Sequence, residues 1–243
     1  MVMSLTSIGT INGGKMSSLF DRKYNCPVCQ KAFTSKQVKT SAIRAKERKK
    51  DFHTIFSGEN PTFYGIICCP DCGYAKFEND FKQPLSLKQV EVVKATILKS
   101  WKTQDFTMER DLQSAIKVHL IALVNYNVLK ERQAIIGKLL LRLAWFYEEL
   151  GQEDENKKYL TLALNAFLKS YEQEKVDEEE EEKALEVIYL IGELNRQIGN
   201  YKEAIRWYES VVRHEFAYKN RLIKGYAKEQ WALAAEEYSL SKK

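Results

Sequence analysis

The chain has 243 residues, 44% of them hydrophobic and 29% charged, enough apolar material for a buried core in one or two domains. No run approaches about 18 uncharged apolar residues, and residues 1–14 lack both a basic start and a compact apolar stretch. Membrane-spanning and secretory readings therefore fall away, no membrane partner is expected, and the cytoplasm is the expected location.

Residues 1–19 begin with a stretch poor in large apolar side chains that includes Gly13-Gly14, so this segment is expected to be disordered. Met16 is an alternative start, because Met16-Ser17-Ser18-Leu19-Phe20 leads directly into the motif-bearing part. All four prolines (Pro27, Pro61, Pro70, Pro84) and all five cysteines lie within the first 84 residues. The proline-free remainder, rich in Leu, Ala, Glu, Lys and Gln, reads as consecutive helices. Charge divides in the same way. Residues 1–83 hold 13 Lys and Arg against 7 Asp and Glu, and the rest holds 25 against 26. A division near Pro84 follows, with a small domain over 20–84 and a helical domain over 85–243.

Cysteines without an export signal are expected to stay reduced, which favours metal binding or redox chemistry over disulfides. Cys26-Pro27-Val28-Cys29 and Cys69-Pro70-Asp71-Cys72-Gly73 form two Cys-x-x-Cys turns. In each, a tight turn aims two sulfurs at one point while backbone amides donate to them. A glycine after the second cysteine readily takes positive φ. Gly73 fills that role and Gln30 does not, so the second turn is the better match. Flanking Tyr24, Phe33, Tyr64, Ile66, Ile67, Tyr74 and Phe77 suit short strands. Cys26, Cys29, Cys69 and Cys72 are therefore the expected ligands of one structural Zn2+, and the N-terminal part is expected to be zinc-ribbon-like. About 65 residues make a marginal core, to which structural zinc adds on the order of 10 kcal/mol of apparent folding free energy. A redox dithiol lacks its βαβ context, and an iron–sulfur cluster is the remaining metal alternative. Cys68 reads as a small buried hydrophobe. His53, His119 and His214 read as structural, with His53 a conceivable substitute ligand.

The 39 residues between the two pairs exceed the usual interval of roughly 15–20, so an insertion must bulge from the site. It carries a basic run of Lys36, Lys39, Arg44, Lys46, Arg48, Lys49 and Lys50 against Glu47.

Ser86-Leu87-Lys88-Gln89 has the form of a capping box opening a helix through Val90, Val93, Ile97, Leu98 and Trp101. Thr107 is expected to cap a second helix carrying Leu112, Ile116, Leu120, Leu123 and Val124, and a third runs through Ile135, Leu139, Leu143 and Phe146 to Gly151. A repeat then emerges. Gly151 and Gly192 read as the small residue inside the first helix of tetratricopeptide units of about 34 residues. Ala163 and Ala204 then take the small position of each second helix, and Phe167 and Tyr208 its aromatic position. The surplus spacing coincides with an acidic run, Asp177 to Glu182, read as solvated linker. Leu222 to Tyr238 reads as a capping helix. The fold class is thus mainly α: a zinc-ribbon-like α+β domain followed by a tetratricopeptide-like antiparallel helical array. In that register Trp145, Glu148, Gln152, Glu155, Asn156, Glu186, Tyr189, Glu193, Arg196 and Gln197 line a concave surface. It is either a peptide groove or a surface filled by the rest of the chain.

At this point the residues match a known pattern. Tyr24-Asn25-Cys26-Pro27-Val28-Cys29, Gly58-Glu59-Asn60-Pro61, Cys69-Pro70-Asp71-Cys72-Gly73-Tyr74-Ala75, Leu143-Ala144-Trp145 and Ile191-Gly192-Glu193-Leu194 resemble the bacterial domain-of-unknown-function family 2225, from about Tyr24 to Tyr238. The resemblance implies a bacterial cytosolic protein of this architecture and transfers no activity.

No phosphate loop, Gly-x-Ser-x-Gly, His-Glu-x-x-His or paired acid and base is present, so the protein is not expected to be an enzyme. A non-catalytic, zinc-stabilised interaction module or adaptor with a protein or peptide partner is the leading expectation. The alternative is nucleic-acid binding through Lys36 to Lys50, with Phe52, Phe56, Phe63 or Tyr64 available for stacking.

Overall fold

The computed structural model describes residues 17–174 and 181–242, with side chains omitted at 181–183. Residues 1–16 of the N-terminal segment, Met16 among them, and Asp177–Glu180 of the acidic run lie outside the described residues. The fold is mainly α with a small α+β N-terminal region.

Three antiparallel hairpins build that region. β1 (Leu19–Asn25) pairs with β2 (Ala32–Val38), β3 (Ala45–Arg48) with β4 (Thr54–Phe56), and β5 (Ile66–Cys68) with β6 (Ala75–Phe77). The first and third hairpins turn on the two Cys-x-x-Cys motifs, and the second is the insertion between them. Helix α1 (Glu78–Phe81) follows, then α2 (Leu87–Val93), which runs on as a π turn over Lys94–Leu98. The expected capping box is present. Ser86 Oγ accepts from the Gln89 amide at 3.3 Å, and Gln89 Oε1 accepts from the Ser86 amide at 3.0 Å. The next helix, α3 (Leu112–Val128), is capped by Asp111 rather than Thr107, with the Ser114 amide donating to Asp111 Oδ1 at 2.7 Å. An Asp one residue before the helix satisfies an orphan N–H directly, whereas Thr107 lies too far upstream.

Five helices complete the chain: α4 (Gln133–Glu149), α5 (Glu153–Gln173), α6 (Glu181–Gln197), α7 (Tyr201–Arg213) and α8 (Arg221–Leu240). Short connections fold α4 onto α5 and α6 onto α7 as hairpins, with α8 against α6 and α7. Gly192 behaves as expected inside α6, where an added Cβ would lie 3.0 Å from the Tyr208 ring of α7. Gly151 does not. It follows α4 at φ 68°, the counterpart of Gly199 at φ 88° after α6, so the residue that lets α5 approach α4 is Gly137. A Cβ there would meet Phe167 at 2.7 Å. Matching Gly151 to Gly199 displaces the first unit by seven residues from the expected register and puts Ala144, rather than Gly137, at the place of Gly192. Gln152, Glu155 and Asn156 move to the start of α5. Seven residues is nearly two helical turns, so Trp145 and Glu148 keep the face assigned to them.

Two apolar clusters hold the chain together. The smaller joins Tyr24, Val28, Ile67, Tyr74 and Phe81 to Val93 and Ile97 of the α2 segment. The larger runs through α3–α8 and includes Ile66, Cys68 and Ala75. Alternate residues of a strand point to opposite faces, so β5 sends Ile67 into one core and Ile66 and Cys68 into the other. Arg110, buried ahead of α3, bridges the halves by donating from Nη1 to Phe63 O at 2.9 Å and Ile66 O at 2.8 Å, and from Nε to Phe106 O at 2.8 Å. Packing is thus continuous across Pro84, where strands give way to helices. Among the described residues no helix is long and apolar enough to cross a membrane.

Candidate metal centre and binding groove

The two turns share one backbone pattern. The Gln30 amide donates to Cys26 O at 2.9 Å and the Cys26 amide to Lys31 O at 3.0 Å; the Gly73 amide donates to Cys69 O at 3.0 Å and the Cys69 amide to Tyr74 O at 2.9 Å. Both turns need a left-handed residue after the second cysteine. Gly73 supplies φ 72° without strain and Gln30 supplies φ 62° at a steric cost, offset in part by its side-chain amide donating to Pro27 O at 3.0 Å. The absence of a knuckle glycine leaves the first turn's geometry intact. Gly73 is fixed a second time, because a Cβ there would fall 2.3 Å from the Trp101 ring. Trp101 lies over this turn and donates from Nε1 to Pro70 O at 2.8 Å.

The turns bring Cys26, Cys29, Cys69 and Cys72 together, with ligand atoms all within 4.8 Å of one another. Cys26 Sγ lies 3.5 Å from Cys72 Sγ, and Cys29 Sγ lies 3.6 Å from Cys69 Sγ. A tetrahedral ion with metal–sulfur bonds of about 2.3 Å sets its sulfurs about 3.8 Å apart, so the donor set fits such a metal. Crowding sets the electrostatics. Hydrogen bonds from Cys26 and Cys72 push Cys69 down to about 2, the hydrogen bond to Cys69 pushes Cys26 up to about 12, and hydrogen bonds with Cys26 and then Cys69 raise Cys72. Four sulfurs this close cannot all ionise without a cation among them. Lys31 bridges to Asp71 at 2.6 Å, tying the two tips together. Cys68 points away, buried among apolar neighbours that push its thiol up to about 12.

The second arrangement sits on the face formed by α4, α6 and α8, and the insertion occupies it. The tip of the β3–β4 hairpin, Lys49 to His53, lies against this face. Asp51 Oδ2 accepts from Trp145 Nε1 at 2.8 Å, and Lys50 O accepts from Tyr189 OH at 2.8 Å. Phe52 packs on Tyr189 and Tyr226 at ring separations of 5.5 and 6.3 Å. His53 stacks on Trp145 at 5.0 Å and 4°, with Nδ1 3.1 Å from Glu148 and Nε2 3.1 Å from Glu149. Neutral imidazole has one N–H, so two carboxylate partners require the imidazolium. Burial pulls the His53 pKa down, yet the bonds to Glu148 and Glu149 outweigh it and leave it raised. Those carboxylates end α4, where the helix dipole disfavours negative charge. His53 and Lys49, the latter 2.6 Å from Glu148, compensate and hold Glu148 at about 2. Lys50 pairs with Glu229 and sits over the Tyr226 ring at 4.2 Å. Beside the tip remains a cavity of about 550 Å³, bordered by Glu193, Arg196, Gln197, Gln230 and Glu237.

Comparison places the chain among known sequences. Residues 19–234 match a family described as an uncharacterized protein conserved in bacteria, DUF2225. The chain belongs to this family. It is also 27% identical over 162 residues to an uncharacterized protein of Borreliella burgdorferi, covering 60% of this chain and 58% of that relative's length. No solved structure matches the chain.

In this DUF2225 member the groove candidates divide. Trp145, Glu148 and Tyr189 contact the inserted tip. Glu193 is buried, accepting from Tyr208 OH at 2.6 Å and pairing with Arg196 at 2.7 Å, and it accepts from Gln197 at 3.1 Å. Glu186 pairs with Lys138 at 3.5 Å. The basic run does not form one exposed face. Lys36 pairs with Asp21 at 3.1 Å, Arg44 donates to Ser41 O and Ile43 O, Arg48 lies 4.9 Å over the Phe52 ring, and Lys49 and Lys50 turn into the groove. Lys46 is exposed on β3, and Lys39, just after β2, is half-buried. Residues the sequence reading did not assign to the groove include Asp51, Phe52, His53, Tyr226 and Glu229. A run of two lysines, an acid, an aromatic and a histidine at the middle of an unexplained insertion was the available signal.

Proposed function

We propose that the protein is a non-catalytic, zinc-stabilised interaction module whose α4–α6–α8 face holds an extended segment of a protein partner. The observation that carries this reading is the contact with residues 49–53. The face grips a length of chain through a main-chain carbonyl, an ion-pair set and an aromatic cluster, which is how repeat surfaces hold peptides. Cys26, Cys29, Cys69 and Cys72 would hold the Zn2+, whose chemistry there is to cross-link two turns as a closed four-sulfur site. Four protein sulfurs leave no position for a substrate, which supports a structural role. A nucleic-acid reading is weakened by the pairing of Lys49 with Glu148 and of Lys50 with Glu229, which turns both side chains toward carboxylates of the groove.

The test is a tagged full-length protein with its metal quantified, used to capture partners from a native bacterial lysate with and without nuclease. About one zinc per chain and a nuclease-resistant protein companion lost on Trp145→Ala or Tyr189→Ala are expected. Companions released by nuclease, with binding that weakens steeply between about 50 and 200 mM salt, would move the function to the basic insertion. Iron in place of zinc would overturn the metal assignment.

A further inference from the structure

The tip Lys49–His53 has properties unlike those of a permanent core element. Its anchors are two lysines, an aspartate, a histidine and one phenylalanine, and much of the ionic contact is open to water, with side-chain exposures of 35% and 44% for Lys49 and Glu148 and 37% and 60% for Lys50 and Glu229. Such exposed pairs each contribute little. Asp51 and His53 are only 4% and 3% exposed, so docking also removes two charged groups from water, which costs free energy that their partners only partly return. Phe52 sits at φ 71°, a left-handed conformation unfavourable for an aromatic residue. All four residues of β3 are exposed and those of β4 only half-buried, so the hairpin is anchored chiefly through its tip. The groove is acidic and aromatic in complement, offering Glu148, Glu149 and Glu229 beside Trp145, Tyr189 and Tyr226.

We infer that Lys49–His53 is an internal ligand that occludes the groove, and that the groove accepts in trans an extended segment of the same chemistry, consecutive basic side chains followed by an aromatic and an imidazole or second cation. This rests on the interaction-module reading and adds the kind of partner and the regulation. A tethered segment competes at an effective concentration on the order of millimolar, so a free segment binds the intact protein weakly until the tip is released.

The experiment uses the full chain and a fluorescent peptide copying residues 47–55. Phe52→Ala/His53→Ala, checked for unchanged helical circular dichroism and metal content, should bind the peptide about tenfold or more tightly than the parent. Adding Glu148→Lys and Glu149→Lys to that variant should remove the gain. A folded, metal-loaded double variant that binds no better than the parent would overturn the inference, while groove-dependent capture of a protein partner by the parent would leave the interaction-module reading standing. If the double variant does not fold, amide exchange on the parent decides. A saturating excess of the peptide should speed exchange at residues 50–53 with the helices unchanged, and unaltered protection there would overturn the inference.

Discussion

Gln30 and Gly73 occupy equivalent places in the two turns yet should respond oppositely to substitution. Gln30→Gly removes left-handed strain at φ 62° and should stabilise the metal-loaded protein by up to about 1 kcal/mol. Gly73→Ala adds strain at φ 72° and drives a methyl into Trp101, and should cost more than about 2 kcal/mol. Denaturant midpoints measured side by side check both, and equal effects would contradict the assignment. His53 gives a pH signature. Its pKa is raised above 6.5 in the folded state, so its contribution is complete below about 6.5 and fades as pH rises through the folded value. Glu148, lowered from 4.5 to about 2, contributes fully above about 4.5 and loses that contribution as pH falls toward 2. The stability difference between the parent and His53→Gln should therefore be largest between about pH 4.5 and 6.5 and shrink toward pH 9. A difference independent of pH over that range would mean that His53 docks as the neutral ring. None of this was legible from His53 in the sequence, because its two carboxylate partners lie nearly a hundred positions away on α4.

At the scale of elements, the hairpin α4–α5 depends on Gly137 and α6–α7 on Gly192. Their added methyl groups would meet Phe167 at 2.7 Å and Tyr208 at 3.0 Å. Gly137→Ala should cost about 1–3 kcal/mol through overpacking, and Gly192→Ala somewhat less, as thermal denaturation of the two variants would show. Gly151→Ala provides the contrast, since no atom lies within 4 Å of a Cβ there but φ is 68°. Its cost should be that of the turn alone, about 1 kcal/mol. The sequence distinguished these cases poorly. Gly137 is one small residue in the run Ile135–Leu141, where helical periodicity marks several faces at once, and a glycine that ends a helix looks like one that lets two helices touch until the helix boundaries are known. The capping box at Ser86 was readable because it depends on residues within one turn of each other.

For the whole molecule, the division of composition at Pro84 conceals a shared interior. Ile66, Cys68 and Ala75 belong to the helical core, Val93 and Ile97 to the core around the four cysteines, and Arg110 joins the two. Removal of the metal proposed for the four cysteines should therefore reach beyond the N-terminal part. Stripping it with a chelator, or Cys69→Ser, should lower the far-ultraviolet thermal midpoint of the helices as well as melting the hairpins. A helical transition untouched by metal loss would show two independent domains. The four cysteines, the mainly helical remainder and the face carrying Trp145, Glu148 and Tyr189 were all legible in local spacing. What fills that face was not, since it depends on a hairpin crossing from one half of the chain to the other.

The most direct measurement is X-ray absorption of the metal in the purified full-length protein, with elemental analysis of the same sample. The expected result is about one zinc per chain with a single shell of four sulfurs at about 2.3 Å. A shell containing nitrogen or oxygen, or protein that folds fully with no metal, would contradict a closed four-cysteine centre as the support of this fold.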